Sequence, residues 1–369
     1  MEWNSTREVR IVNKPKYNKI IEDLKIQIKQ KKYLPGDKLP SENMLSREYE
    51  ISRQTVRKAL TVLENEGYIY AVHGKGTFVS ELVRHTKNSK NIAVITTYLS
   101  DYIFPRVIQG IDKIFSENGY SIVLKTTKNS QAAEARCIEE LLSKDIDGLI
   151  IEPSKSHIYC KHLSLFEQMD EYSIPYLFIQ GYFEELSDRP GVFVDDEKGG
   201  YLITNYLISR GCKDIYGVFK VDDVQGINRH KGYVRALQEH GILYNPDKVI
   251  WFHTEDREVK PREVIGSLVK KGKKMDAVVC YNDQVAVEVV RSFQAHGVRV
   301  PDDVSVTGFD NSLISKNNLI PITTVSHPQE LLGQRAAELM LRLIRGEKIE
   351  NDSNHIIMEP KIVIRKSTR

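Results

Sequence analysis

The chain has 369 residues, with 53 Lys and Arg against 50 Asp and Glu, a formal net charge of +3 and 41% hydrophobic residues. That length accommodates two or three folded units with cores of their own, and the apolar content excludes general disorder. A near-neutral charge means that any nucleic-acid surface must be a local concentration of cations, which the Lys/Arg-rich run from Lys14 to Arg57 supplies.

Met1 to Lys14 is polar and reads as a tail (1–14) without the apolar core of a signal peptide. Tyr17 to Gln30 places Ile20, Ile21, Leu24 and Ile28 on one side of a first helix that Pro35-Gly36 stops. Ser41 is a good N-cap for a short helix closed by Leu45, Tyr49 and Ile51. Ser52 then caps a second, Arg53 to Gly67, with Val56, Ala59, Leu60 and Leu63 on its buried face and Arg53, Gln54, Thr55, Arg57 and Lys58 on the polar side or at the exposed start. Two helices in this order form a helix-turn-helix, whose second helix presents its first residues to base edges. Arg matches guanine and Gln matches adenine, so Arg53, Gln54 and Arg57 are the expected readers. Tyr68 to Tyr70 and Thr77 to Val79 predict two strands around a glycine-bearing tip, with His73 and Lys75 placed to lie along phosphate or the minor groove. The tip lacks the glycine spacing of a phosphate-binding loop.

Glu81 to Lys90 loses apolar periodicity and predicts a linker (81–90), leaving a DNA-binding domain at 15–80 and a second domain at 91–369. From Asn91 short apolar strands alternate with helices, the pattern of an open parallel sheet. The expected strands are Ile92 to Thr97, Ser121 to Lys125, Gly148 to Ile151, Tyr176 to Ile179, Ile215 to Phe219, Ala277 to Cys280 and Val304 to Phe309. The expected helices are Val107 to Asn118, Glu134 to Ser143, Gly199 to Ser209, Gly232 to His240, Pro261 to Lys270 and Gln284 to His296. Ligands of such sheets sit beyond the carboxyl ends of the strands. Those ends carry Tyr98, Glu152, Gln180, Asn282-Asp283 and Asp310-Asn311, a set suited to hydroxyls and the C–H face of a sugar, although strand ends are also polar simply because loops are exposed.

No hydrolase, zinc-protease or nucleotide-binding signature appears, and Asp195-Asp196 and Asp222-Asp223 are adjacent residues that would diverge in direction, so they read as loop or cap residues. His157, Cys160 and His162 lack a fourth ligand at a recognisable spacing, so no metal or other cofactor is expected, and no catalysis. Cys137, Cys160, Cys212 and Cys280 are widely spread, include no CxxC pair and predict reduced thiols. With no run near the ~18 apolar residues of a spanning helix, the expectation is a cytoplasmic protein without a membrane partner.

The stretch PGDKLPSENMLSREYEISRQTVRKALTVLENEGYIYAVHGKGTFV resembles the winged-helix domain of the GntR family of bacterial transcription regulators. It departs where many members carry Arg after the Glu of "PSE": Glu42 is followed by Asn43, a feature shared with the arabinose-repressor branch, and Glu42 would accept from a cytosine amino group. The segment from Asn91 to about Arg365, with GINRHKGYVRALQEHGI, CYNDQVAVEVV and VTGFDNSLIS, is similar to the effector domain of the LacI/GalR regulators and periplasmic sugar-binding proteins. That resemblance implies a multidomain α/β protein, a winged helix-turn-helix followed by a two-lobed effector domain of parallel sheets flanked by helices, with lobes at about Asn91 to Phe193 and Val194 to Ser326 and a shared tail. It places Arg229 on the Arg of "RxxGY" that holds sugar hydroxyls, Asn282 on the Asn of "ND" and Asp310 on the Asp of "GFD". Glu152, Gln180 and His327 fall on further strand ends, and Tyr98 and Tyr102 in the variable first loop. The fusion resembles the arabinose repressors of Gram-positive bacteria. It implies a homodimer on double-stranded operator DNA with a sugar effector, L-arabinose first; another pentose or hexose, or a cytosolic sugar binder without regulatory role, is the alternative.

Overall fold

The computed structural model of the chain describes residues 16–29, 32–65, 67–80, 89–98, 102–347 and 354–369. The expected tail, residues 81–88 of the expected linker and residues 99–101 of the first loop lie outside the described residues. By its internal contacts the chain divides into two compact units between Ser89 and Lys90.

The first unit consists of α1 (Lys16–Lys29), α2 (Glu42–Glu48), α3 (Arg53–Asn65) and an antiparallel hairpin of β1 (Ile69–Val72) and β2 (Gly76–Val79). Ser41 Oγ accepts from the Met44 amide and Ser52 Oγ from the Thr55 amide, so both helices of the reading pair start where their caps predict. The stripes Ile20, Leu24, Ile28 and Val56, Ala59, Leu60, Leu63 meet in one core with Leu39, Leu45, Tyr68 and Val79. Each fully buried aliphatic side chain there contributes about 1.5–3 kcal/mol. The second helix stops at Asn65 instead of the expected Gly67. Gly67 stands at φ +76°, and the Gly67 and Tyr68 amides return to the Glu64 and Leu63 carbonyls, a left-handed termination open to glycine at no steric cost.

The second unit has two lobes. The first lobe contains β3 (Asn91–Thr96), α4 (Phe104–Glu117), β4 (Ser121–Thr126), α5 (Gln131–Leu142), β5 (Gly148–Ile151), α6 (Leu163–Glu171), β6 (Tyr176–Ile179) and β7 (Gly191–Val194). The second contains α7 (Asp196–Ser209), β8 (Ile215–Lys220), α8 (Val224–Glu239), β9 (Val249–Phe252), α9 (Lys260–Lys270), β10 (Ala277–Cys280), α10 (Asp283–Ala295), β11 (Ser305–Asp310), α11 (Leu313–Asn317) and β12 (Thr323–Ser326). The chain then returns to the first lobe as α12 (Gln329–Ile344), which packs on α4, and β13 (His355–Met358), and ends in the second with β14 (Ile362–Val363). Strand order is β13-β7-β6-β5-β3-β4 in the first sheet, all parallel, and β14-β12-β11-β10-β8-β9 in the second, parallel but for β14. Helices cover both faces, so strands such as GLII, YLFI and AVVC are buried throughout and read as continuous apolar runs.

Five strands among the described residues of the second unit are not expected from the sequence: Gly191–Val194, Val249–Phe252, Thr323–Ser326, His355–Met358 and Ile362–Val363. Thr323 and Thr324 are fully buried with their hydroxyls bonded to Thr368 and Asp283, so a core strand there looks polar. The helix expected from Gly232 begins eight residues earlier, at Val224. Gly232 on α8 and Gly200 on α7 mark a helix crossing instead of turns. A Cβ on Gly232 would meet the Glu197 carbonyl at 2.0 Å and one on Gly200 the Arg229 carbonyl at 2.1 Å, so α7 and α8 touch backbone to backbone beside Arg229.

Candidate functional site

On the first unit the start of α3 and the α2 N-terminus share a polar face. Arg53, Gln54 and Asn43 are exposed, whereas Thr55 is half-buried with its hydroxyl 2.8 Å from Ser52 Oγ. Glu42 and Arg57 meet each other: Nε and one terminal nitrogen of the guanidinium donate to the two carboxylate oxygens at 3.0 and 2.8 Å. That bidentate pair holds the Glu42 carboxyl below its ordinary pKa, the bond to Arg57 being the main cause. His73 and Lys75 are exposed at the hairpin tip, where the Lys75 amide closes the turn on Val72. All eight residues expected to meet DNA therefore belong to α2, the start of α3 or the wing tip.

In the second unit the carboxyl ends of both sheets face a cavity of about 550 Å³, within the range of small-molecule sites. Tyr98, Tyr102, Glu152, Gln180, Arg229, Asn282 and Asp310 line it. His327 does not line it but is buried behind Gln180, with Nε2 at 2.7 Å from Gln180 Oε1.

The second-lobe wall is built on Arg229. The approach of α7 to α8 brings Asp196 Oδ1 to 2.8 Å from Arg229 Nε, a terminal nitrogen donates to the Tyr281 carbonyl at 2.6 Å, and the other stands 3.5 Å from Asp310 Oδ1. The guanidinium lies 3.6 Å above the Phe309 ring. Two carboxylates outweigh the burial of Arg229 and lift its pKa, while burial pushes Asp196 up to about 6 against the pull of Arg229. Asp310 sits at φ +99°, its carbonyl held by Gln329 Nε2, so its side chain turns off the end of β11 into the cavity. Its Oδ1 has no hydrogen-bond partner among the described residues. Asn282 caps α10, Oδ1 accepting from the Val285 amide, which leaves its NH₂ for the cavity.

The first-lobe wall meets this one directly. Tyr102, at φ +77°, crosses the cleft: its hydroxyl donates to Asp310 Oδ2 at 2.6 Å and accepts from the Asp283 amide at 3.0 Å. Glu152 Oε2 accepts from the Thr97 amide and hydroxyl at 2.7 and 2.6 Å, and burial pushes this carboxyl up to about 7. Burial also pushes His327 down to about 4. The neutral ring donates from Nε2 to Gln180 Oε1, leaving Gln180 Nε2 and His327 Nδ1 without partners among the described residues. Tyr98 stacks against the Arg257 guanidinium at 4.3 Å, a contact between the lobes at the mouth.

Sequence reasoning misses Lys220, Asp223, Gln225, Arg257 and Tyr281, which also line the cavity. The two acidic pairs are cap or loop residues as expected, except that Asp196 lies in the first turn of α7, and their partners are not expected from the sequence. Asp195 caps α7 as expected, but Asp196 is the buried partner of Arg229. Asp222 lies in the loop between β8 and α8 and Asp223 is the N-cap residue of α8, as expected of loop or cap residues, but they are only 1% and 9% exposed and anchor Thr254 and Lys220. A lysine closing an apolar strand two residues before an acidic pair was the available signal. Of the His/Cys trio, His162 bonds Glu134 at 2.9 Å, and no group of three or more candidate metal ligands occurs among the described residues.

Two family models match the chain: bacterial regulatory proteins of the gntR family over residues 16–79 and a periplasmic binding protein-like domain over residues 204–368. An arabinose metabolism transcriptional repressor of Halalkalibacterium halodurans is 39% identical over 362 residues, 96% of each chain. One of the same description from Geobacillus stearothermophilus is 35% identical, over 96% of this chain and 98% of its own. In the second unit the fold is similar to the transcription regulator CcpA of Lactococcus lactis, with 25% identity and a TM-score of 0.68 over 76% of this chain and 99% of that one. No helix among the described residues is long and apolar enough to cross a membrane.

Proposed function

Since this chain belongs to the family of the arabinose metabolism transcriptional repressors, and is a DNA-binding repressor of sugar utilisation and not an enzyme, we propose that its effector is L-arabinose, bound in the cleft of the second unit. The supporting observation is the set of buried polar atoms there that lack hydrogen-bond partners among the described residues: Asp310 Oδ1, an acceptor whose one charged neighbour is the Arg229 guanidinium at 3.5 Å, and Gln180 Nε2, a donor. A buried polar atom without a hydrogen bond costs about 1–3 kcal/mol, so a ligand that bonds both atoms recovers that cost. A polyhydroxylated ring offers donors and acceptors on the same oxygens, and Tyr98 gives its C–H face a ring to rest on.

In this reading Arg53, Gln54 and Arg57 read bases, Glu42 contributes by accepting from a cytosine amino group, Asn43 and Thr55 belong to the same DNA-facing set, and His73 and Lys75 lie along phosphate or the minor groove. The protein acts as a homodimer on paired half-sites in the cytoplasm, with sugar favouring the state that releases DNA. Calorimetric titration of the full chain with pentoses and hexoses, paired with operator release over the same concentrations, tests it. L-Arabinose is expected to bind most tightly and to release the operator; release by another aldose alone would assign the cleft to that sugar instead.

A further inference from the structure

Lys220 closes β8 at the cavity wall and is 5% exposed, a burial that is rare for an ammonium. Of its three N–H groups one reaches Asp223 Oδ2 at 2.5 Å, and Asp222 Oδ1, at 3.7 Å, lies beyond hydrogen-bond reach. Among the described residues no other acceptor takes the remaining two donors. Asp222 is held elsewhere, its Oδ2 accepting from the Thr254 amide and hydroxyl at 3.0 and 2.8 Å. Asp223 Oδ1 is occupied by Asn129 Nδ2 at 3.1 Å. The acidic pair thus fixes Lys220 from behind while leaving donors toward the cavity, where its charge acts on Tyr98 and Glu152 of the facing lobe. Burial alone would lower the Lys220 pKa; Asp223 and Asp222 raise it above the ordinary value, so the group stays a charged donor.

Resting on the sugar reading of this cleft, we propose that Lys220 is a specificity-determining contact of the sensor, its ammonium donating to one hydroxyl or ring oxygen of a neutral sugar. Asp222 and Asp223 already balance its charge. An anionic relative such as an aldonate therefore gains no ion pair at Lys220, and the acidic pair repels it. A donor shared between a carboxylate and a ligand oxygen discriminates by the position of that oxygen, because a sugar lacking it leaves a buried charged N–H unbonded.

The test is titration of the full-length wild type and of Lys220→Met with L-arabinose, its monodeoxy analogues and arabinonate, with a melting curve for each protein. Lys220→Met is expected to weaken L-arabinose about tenfold to a hundredfold, the worth of a charged hydrogen bond. One deoxy analogue that the wild type binds poorly is expected to lose nothing further in the variant, and arabinonate is expected to bind wild type more weakly than L-arabinose. If Lys220→Met melts too low to titrate, Lys220→Arg keeps the charge beside Asp222 and Asp223 but moves the donors, and is expected to change which analogue is discriminated against. Equal weakening of every analogue, wild-type ranking in Lys220→Arg, or undiminished L-arabinose binding in Lys220→Met would each overturn the proposal while leaving the sugar reading in place. Failure of the wild type to bind any neutral sugar would overturn both.

Discussion

Two arginine–carboxylate pairs, one in each unit, contrast in what surrounds them. Arg57 and Glu42 form a bidentate pair with side chains 70% and 34% exposed, whereas Arg229 and Asp196 meet with side chains 7% and 6% exposed. Water screens the first, so it contributes little to stability and DNA can redirect either partner at small cost. The second has exchanged hydration for Asp196, Asp310, the Tyr281 carbonyl and the Phe309 face, and removing one member strands the others. In the proposed reading, base recognition thus rests on exposed side chains that the fold does not depend on, whereas in the cleft the side chains proposed to hold sugar also support the fold.

The largest expected effect follows from that difference. Arg229→Ala leaves Asp196 and Asp310 buried without their cation and is predicted to destabilise the second unit by about 3–5 kcal/mol as well as to abolish sugar binding. Thermal melting beside calorimetry decides it, and a wild-type melting curve would mean that the pair carries no structural load. Asp310→Asn is milder because it keeps shape and an acceptor; it is predicted to weaken the sugar about tenfold to a hundredfold with operator affinity unchanged. Its reader counterpart, Arg53→Ala, is predicted to weaken the operator by a similar factor of about tenfold to a hundredfold, to relax sequence preference and to leave the melting curve alone. Equal losses on operator and random DNA would remove Arg53 from base reading.

pH separates the two units more gently. A carboxyl whose folded pKa exceeds its unfolded value stabilises the fold fully below the unfolded value and loses that contribution as pH rises through the folded one. Glu152, ordinarily 4.5, is raised to about 7, and Asp283, ordinarily 3.8, also to about 7, both through burial. His327 works in the opposite sense, its contribution present above its ordinary 6.5 and lost as pH falls through about 4. Between about pH 6 and 8 the carboxylates dominate, so the second unit is predicted to melt lower with rising pH, and Glu152→Gln to flatten part of that slope. A slope unaltered in Glu152→Gln would contradict it. The smallest effect is Lys75→Ala, predicted to weaken all duplexes evenly and to reduce the salt dependence of binding by about one phosphate contact.

Most of the reader was legible because its signals are local: Ser41 and Ser52 cap helices and a period of 3.6 runs through Val56, Leu60 and Leu63. In the sensor the strand ends were legible, and so the ring of cavity residues at Glu152, Gln180, Asn282 and Asp310. What was not legible is the pairing of distant residues. Nothing near Asp196 announces Arg229, 33 positions away, and nothing near Tyr102 announces Asp310, 208 positions away, because both contacts arise where glycines let helices touch or where two lobes close on each other. Lys220 was hidden for a simpler reason: a lysine after an apolar strand looks like its solvated end.

Sugar in the cleft and operator on the reader are proposed to oppose each other through one protein. The most direct measurement is the affinity of the full-length protein for L-arabinose, by calorimetry, with and without saturating operator DNA. Linkage requires that a ligand which weakens operator binding be weakened by the operator in the same proportion. The DNA-bound protein is expected to bind L-arabinose more weakly, by the same factor as operator affinity falls in saturating sugar; equal affinity in the two titrations would contradict such coupling.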